Sequence, residues 1–186
     1  MSSVISRFSF VVFTVLLSGA VSAESFLLSS KDIHAGKFMS KEQEFQGFGC
    51  TGSNISPQLS WSNAPERTEA FAVFAYDPDA PTGSGWWHWQ LVNIPKDTTS
   101  LQADAGSSEK NRIPQGSIQI VNDYGLRGFG GACPPKGHGA HRYQFTVYAL
   151  SKKLDLPSDA SGALTGYMVK ANSLGASTIE ALYVRE

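Results

Sequence analysis

Phe71-Ala72-Val73-Phe74-Ala75-Tyr76 carries neither charge nor alternation, and Asp77-Pro78-Asp79-Ala80-Pro81 follows it directly. Six apolar residues match the length of a strand, and a run apolar on both sides is consistent with a strand buried on both faces. The two prolines then stop the pairing, because neither can donate to a ladder. Outward from this run, residues 86–94 read as the next strand, stopped by Pro95, and residues 118–121 as a third. Residues 142–150 alternate, with Tyr143, Phe145, Val147 and Ala149 pointing one way and Arg142, Gln144 and Thr146 the other. Pro157 and Ser158-Asp159 precede a helical stretch over residues 163–171, with Leu164, Tyr167, Met168 and Ala171 on one face. Residues 177–185 read as a closing strand. The fold class is mainly β, with a small helical element near the C-terminus.

Upstream, Met1 to Arg7 is polar with one positive charge, and residues 8–17 (FSFVVFTVLL) form an uncharged, mostly apolar run. Ser18-Gly19 breaks it, and Val21-Ser22-Ala23 places small residues where a signal peptidase reads. This is the order of a secretory signal peptide, residues 1–23, cleaved after Ala23. The apolar run falls short of the ~20 residues that span a bilayer, and no later segment could span one. The remaining residues 24–186 are the length of one domain. They are headed for the periplasm or for release outside the cell. In an oxidising compartment Cys50 and Cys133 read as a disulfide, and otherwise as two buried thiols.

Charged residues make up 17% of the 186, against about 25% in an average soluble chain. Fifteen basic and 16 acidic side chains give a net charge of −1. With no Lys/Arg run, that balance excludes a nucleic-acid partner. Low charge and many aromatics are compatible with a homodimer.

Three features carry chemistry. Asp77-Pro78-Asp79-Ala80-Pro81 is a rigid turn at a strand end that presents carboxylates, or else an ordinary turn whose aspartate bonds its own backbone. Trp86-Trp87-His88-Trp89 reads as a histidine between large apolar walls. Asp77, at the end of the adjoining strand, could fix one of its nitrogens. Residues 128–143 (GFGGACPPKGHGAHRY) form a glycine- and proline-rich loop. Its amides could cradle an anion, with Lys136, His138 and His141 adding donors, or the glycines could serve a tight crossing between sheets. His138 and His141 sit three apart in a Gly-Pro loop with no His-Glu-x-x-His pattern, so no metal site is assigned. No Gly-x-Ser-x-Gly elbow exposes a nucleophile, so no catalytic residue is assigned. Asn54-Ile55-Ser56 is formally a glycosylation sequon, weakened by Pro57.

Asp77-Pro78-Asp79-Ala80-Pro81, Trp86 to His88 followed by Leu91-Val92-Asn93, and Pro134-Pro135-Lys136-Gly137 leading to His141-Arg142-Tyr143 resemble the phosphatidylethanolamine-binding protein family, which includes the Raf kinase inhibitor proteins. Gly52 to Trp61 (GSNISPQLSW) resembles the family's segment before its first conserved strand, and the likeness runs from about Phe26 to Val184. The leader makes the chain resemble an exported bacterial branch. The resemblance implies a two-sheet β fold with a small C-terminal helical element and a shallow pocket. It implies Asp77, His88, His141 and Tyr143 as ligand-binding residues, with Ala80, Pro81, Gly131 and Pro135 lining the walls. The short insertion Thr82-Gly83-Ser84-Gly85 leaves no counterpart for an aromatic that some relatives place there, a role Trp86 could fill.

The implied function is that of a non-enzymatic binding protein for phosphate, a phosphoryl headgroup or a similar small anion, without cofactor. The anion would lie against loop amides near Gly131 to Gly137, with His88 and His141 donating. Two charge-assisted hydrogen bonds plus amides suit an affinity of roughly micromolar to millimolar. The alternatives are a regulator that recognises a phosphoprotein, kinase-inhibitor-like, and a weak hydrolase using Asp77 and His88.

Overall fold

The computed structural model describes residues 24–157 and 159–186. The proposed leader and Ser158 lie outside the described residues. Among the described residues, ten strands and one α-helix follow in the order β1 (Leu27–Ser29), β2 (Gln46–Gly47), β3 (Cys50–Thr51), β4 (Leu59–Ser62), β5 (Ala70–Asp77), β6 (Trp86–Pro95), β7 (Ser100–Leu101), β8 (Ile118–Gln119), β9 (His141–Leu150), α1 (Gly162–Ala171) and β10 (Ser173–Tyr183). The architecture is mainly β with one helix near the C-terminus.

The unbroken apolar run makes β5 the middle of a five-stranded antiparallel sheet, ordered β10-β9-β5-β6-β8. A strand without a polar side needs cover above and below, and the fold supplies both. On one face, Phe71, Val73 and Ala75 pack with Phe145 and Val147 of β9 against Leu59 and Trp61 of a small sheet ordered β1-β4-β7. On the other, Ala70, Ala72 and Phe74 pack with Val92 and Leu150 against Val169 of α1. The alternation along β9 follows the sequence pattern: Tyr143, Phe145, Val147 and Ala149 are buried, whereas Arg142 is exposed. A separate hairpin, β2–β3, is tied by the Cys50–Cys133 disulfide to the loop that precedes β9.

The helix begins close to its expected place, where the Ser161 hydroxyl accepts from the Leu164 amide as N-cap. Its buried face is a correction. Thr165, Gly166 and Val169 face inward, while Leu164 is 40% and Tyr167 70% exposed. The reason is the Trp87 indole beneath the helix. A Cβ on Gly162 would come within 2.5 Å of that ring, and one on Gly166 within 3.4 Å. Gly162 and Gly166 leave room for the indole, Leu164 and Tyr167 turn outward, and Met168 keeps its place against the core beside Trp87. Sequence periodicity counts hydrophobicity and cannot see the size of the facing side chain.

Two outcomes follow for stability. Thermal unfolding of Gly162→Leu should show a loss of about 1–3 kcal/mol from overpacking, while Tyr167→Ser stays within about 0.5 kcal/mol of the parent. The Cys50→Ser/Cys133→Ser double variant, whose open bond frees a sequence separation of 83 residues, should lose about 2–5 kcal/mol in urea unfolding.

Candidate functional site

The ends of three neighbouring strands converge on one cavity of about 200 Å³. Strand β5 ends in Asp77 and β9 begins with His141 and Tyr143, so the register of the two strands brings these side chains together. Strand β6 reaches the same place through an irregularity. Tyr76 pairs with Trp87 and Ala75 with Trp89, which leaves His88 as an extra residue in β6. A bulge of this kind re-aims side chains. Trp89 stays in the inter-sheet core, His88 and Trp86 line the cavity, and Trp87 turns to the opposite face beneath α1.

The Asp77 carboxylate is 2% exposed and fully engaged. Its Oδ1 accepts from the Asp79 amide at 2.8 Å, the self-bonding turn that Asp-Pro-Asp suggests, and its Oδ2 accepts from Nδ1 of His141 at 2.7 Å. The imidazole that Asp77 fixes is therefore His141 and not His88, a correction to the sequence reading. The other nitrogen of His141, Nε2, lies 2.7 Å from Nδ1 of His138, giving a chain Asp77–His141–His138 that runs out to solvent.

His88 is held differently. Its Nδ1 lies 2.7 Å from the carbonyl of Gly130, which can only accept, so that nitrogen carries the proton. Its walls are the edges of Tyr124 and Tyr143, at centroid distances of 5.6 and 5.1 Å, and not the neighbouring tryptophans. Complete burial lowers the His88 pKa against the opposing pull of the Gly130 carbonyl and the Asp77 charge, which favours the neutral ring. Burial, reinforced by the Asp77 charge, raises the Tyr143 hydroxyl above its ordinary value, so it remains a donor. Neither that hydroxyl nor the indole N–H of Trp86, both buried, makes a hydrogen bond of good geometry to a protein acceptor among the described residues, although the Asp77 carboxylate lies close enough to the hydroxyl to help raise its pKa.

The amides of residues 130–132 in the glycine loop are taken up by protein acceptors. Gly130 N–H donates to the His88 carbonyl, Gly131 N–H to Asn54 Oδ1 at 2.7 Å, and Ala132 N–H to the Gln43 carbonyl. The glycines serve close backbone crossing: a Cβ on Gly131 would come within 2.3 Å of the Gln43 carbonyl oxygen. Lys136 points away and donates to the Glu186 carbonyl. Asp77, Ala80, Pro81, His88, Pro135, His141 and Tyr143 all line the cavity, and Gly131 does not.

Several residues escaped the sequence reading. Phe48, at the tip of the β2–β3 hairpin with φ +51° and 71% exposed, forms the mouth of the cavity with Tyr124, 5.4 Å away between ring centroids. The Cys50–Cys133 pairing was the available signal, since it draws the hairpin tip to Pro134. Asn54, of the formal sequon, also donates to the Phe129 carbonyl, while Asn122 bonds the carbonyls of His88 and Gly128. These two amides hold the loop against β6.

A solved structure of YbcL from Escherichia coli, described as a new member of the mammalian PEBP family, superposes with a TM-score of 0.84 at 50% identity, covering 87% of this chain and 99% of that one. The family model for phosphatidylethanolamine-binding protein matches residues 29–184. The chain belongs to the phosphatidylethanolamine-binding protein family. Among curated sequences, the E. coli K12 UPF0098 protein YbcL is 49% identical over 93% of this chain and 96% of its own length. The UPF0098 protein YbhB of the same organism is 45% identical over 84% and 98%. Among the described residues no helix is long and apolar enough to cross a membrane, and no group of three or more His, Cys, Asp or Glu side chains is placed to hold a metal ion.

Asp79 fastens the floor of this cavity. Its Oδ2 accepts from the Arg142 amide and Nε, both at 2.9 Å, and its Oδ1 from Nη2 at 2.7 Å, which clamps the turn after β5 to the start of β9. The guanidinium hydrogen bond pulls the Asp79 carboxyl down to about 2. A depressed carboxyl stabilises the fold fully above its unfolded value of about 3.9, and the contribution disappears as pH falls through about 2. Carboxyl-detected NMR should place the Asp79 midpoint near 2 and return it toward 3.9 in Arg142→Ala.

Proposed function

We propose that this protein binds a small oxyanion, phosphate or a phosphoryl group, in the cavity at the strand ends and does so without turnover. The observation that carries the reading is a pair of buried donors without a well-aligned protein acceptor, the Tyr143 hydroxyl and the Trp86 N–H, both on residues that line the cavity. Buried donors without acceptors are rare and costly, and an oxyanion supplies the acceptors they lack. This replaces the loop-amide cradle expected from the glycines, and it moves the donor role from His88 to Tyr143 and Trp86. Binding is favoured over catalysis by what surrounds the Asp77–His141 pair. Thr82, the hydroxyl side chain closest in kind to a nucleophile on the cavity wall, donates its proton to the Gly85 carbonyl at 2.5 Å.

The reading includes export, supported by the signal-like order of residues 1–23 and by the Cys50–Cys133 disulfide, a bond kept in oxidising compartments. Recognition of a phosphoprotein would use the same cavity, whose apolar mouth at Phe48 and Pro135 could receive the residues around a phosphorylated side chain.

Calorimetric or NMR titration of residues 24–186 with phosphate and phosphoethanolamine should show saturable binding. Tyr143→Phe should weaken it about tenfold, the worth of one hydrogen bond to a charged group. Saturable binding untouched by Tyr143→Phe would sink the assignment.

A further inference from the structure

The donors of the cavity are matched by an acceptor. With Nδ1 of His88 committed to Gly130, its Nε2 is left with a lone pair, and no protein group bonds it among the described residues. The groups around this ring are Asp77 from β5, Tyr143 and His141 from β9, and Asp123 with Tyr124 from the segment after β8. None is a fixed cation, and among the described residues no lysine or arginine lines the cavity. His141 offers no free nitrogen either, because Asp77 and His138 take both. A ligand with two negative charges and only acceptor oxygens would face the Asp77 carboxylate without compensation and set an oxygen lone pair against that of Nε2.

Resting on the oxyanion reading above, we propose that the cavity selects a phosphomonoester in its singly protonated, monoanionic form. The P–OH donates to Nε2 of His88, while Tyr143 and Trp86 donate to the remaining oxygens. A phosphodiester, the chemistry of a phospholipid headgroup, carries the same single charge but no proton to donate. It brings no donor to the Nε2 lone pair, so the diester is the poorer ligand. His88 then sets specificity through the proton it lacks, and the preferred source is a soluble monoester or a phosphorylated side chain, not an intact lipid.

The test compares methyl phosphate, dimethyl phosphate and sulfate by calorimetry on the unmodified protein at pH 5.5. A phosphomonoester, with its second pKa at about 6, is there mostly monoanionic. Methyl phosphate should bind about tenfold more tightly than dimethyl phosphate, the worth of one hydrogen bond to a charged group, with sulfate no tighter than the diester. Side-chain nitrogen NMR should show Nε2 of His88 unprotonated in the free protein and shifted by methyl phosphate but not by the diester. A margin below threefold between monoester and diester, sulfate binding equal to methyl phosphate, or a doubly protonated His88 ring overturns the selectivity. Absence of binding by all three up to tens of millimolar overturns the oxyanion reading itself, and the inference with it.

Discussion

A carboxylate that is 2% exposed has to be satisfied by the protein, and Asp77 is satisfied without a lysine or arginine. That constraint organises the site. Oδ1 shapes the Asp-Pro-Asp turn, and Oδ2 fixes the tautomer and direction of His141, which in turn positions His138. Asp79, two residues on, takes the Arg142 guanidinium and uses it as a clamp at the rim. The charge of the buried group is thus spread through hydrogen bonds, and the cavity beside it keeps a net acceptor character on one wall and a donor character on the other.

The second determinant is geometric. Strand pairing alone would point Trp87 at the ligand and His88 at the helix, because side chains alternate. One extra residue in β6 reverses that assignment for everything before Trp89. The same slip supplies the helix with its indole platform and the cavity with His88 and Trp86. Site and helix packing are two outcomes of a single irregularity, so neither can be altered in β6 without disturbing the other.

Much of this was legible in the sequence. The run at residues 71–76, the proline stops and the alternation of residues 142–150 carry the main sheet, since burial period and strand termination are local properties. The motif resemblance carried the family and seven of the cavity residues. What stayed hidden is relational. No local pattern shows that His88 is bulged, that Trp87 demands glycines opposite it, or that the loop amides of residues 130–132 are consumed by Asn54, Gln43 and β6. Phe48 lies 29 residues before Asp77 and reaches the cavity through the cross-link, the Phe45–Ala132 backbone bond and the stacking of Phe45 on Tyr124, none of them a local pattern.

That cross-link gives the cavity an order of assembly. The polar floor is written into three adjacent strands and forms with the sheet, but the aromatic mouth arrives on a two-stranded hairpin too small to be stable by itself. Without the bond, the mouth would keep only its non-covalent ties, the Phe45 N–H to the Ala132 carbonyl and the stacking of Phe45 on Tyr124 at 4.0 Å. Oxidation then acts as a lock on the mouth and leaves the floor as it was.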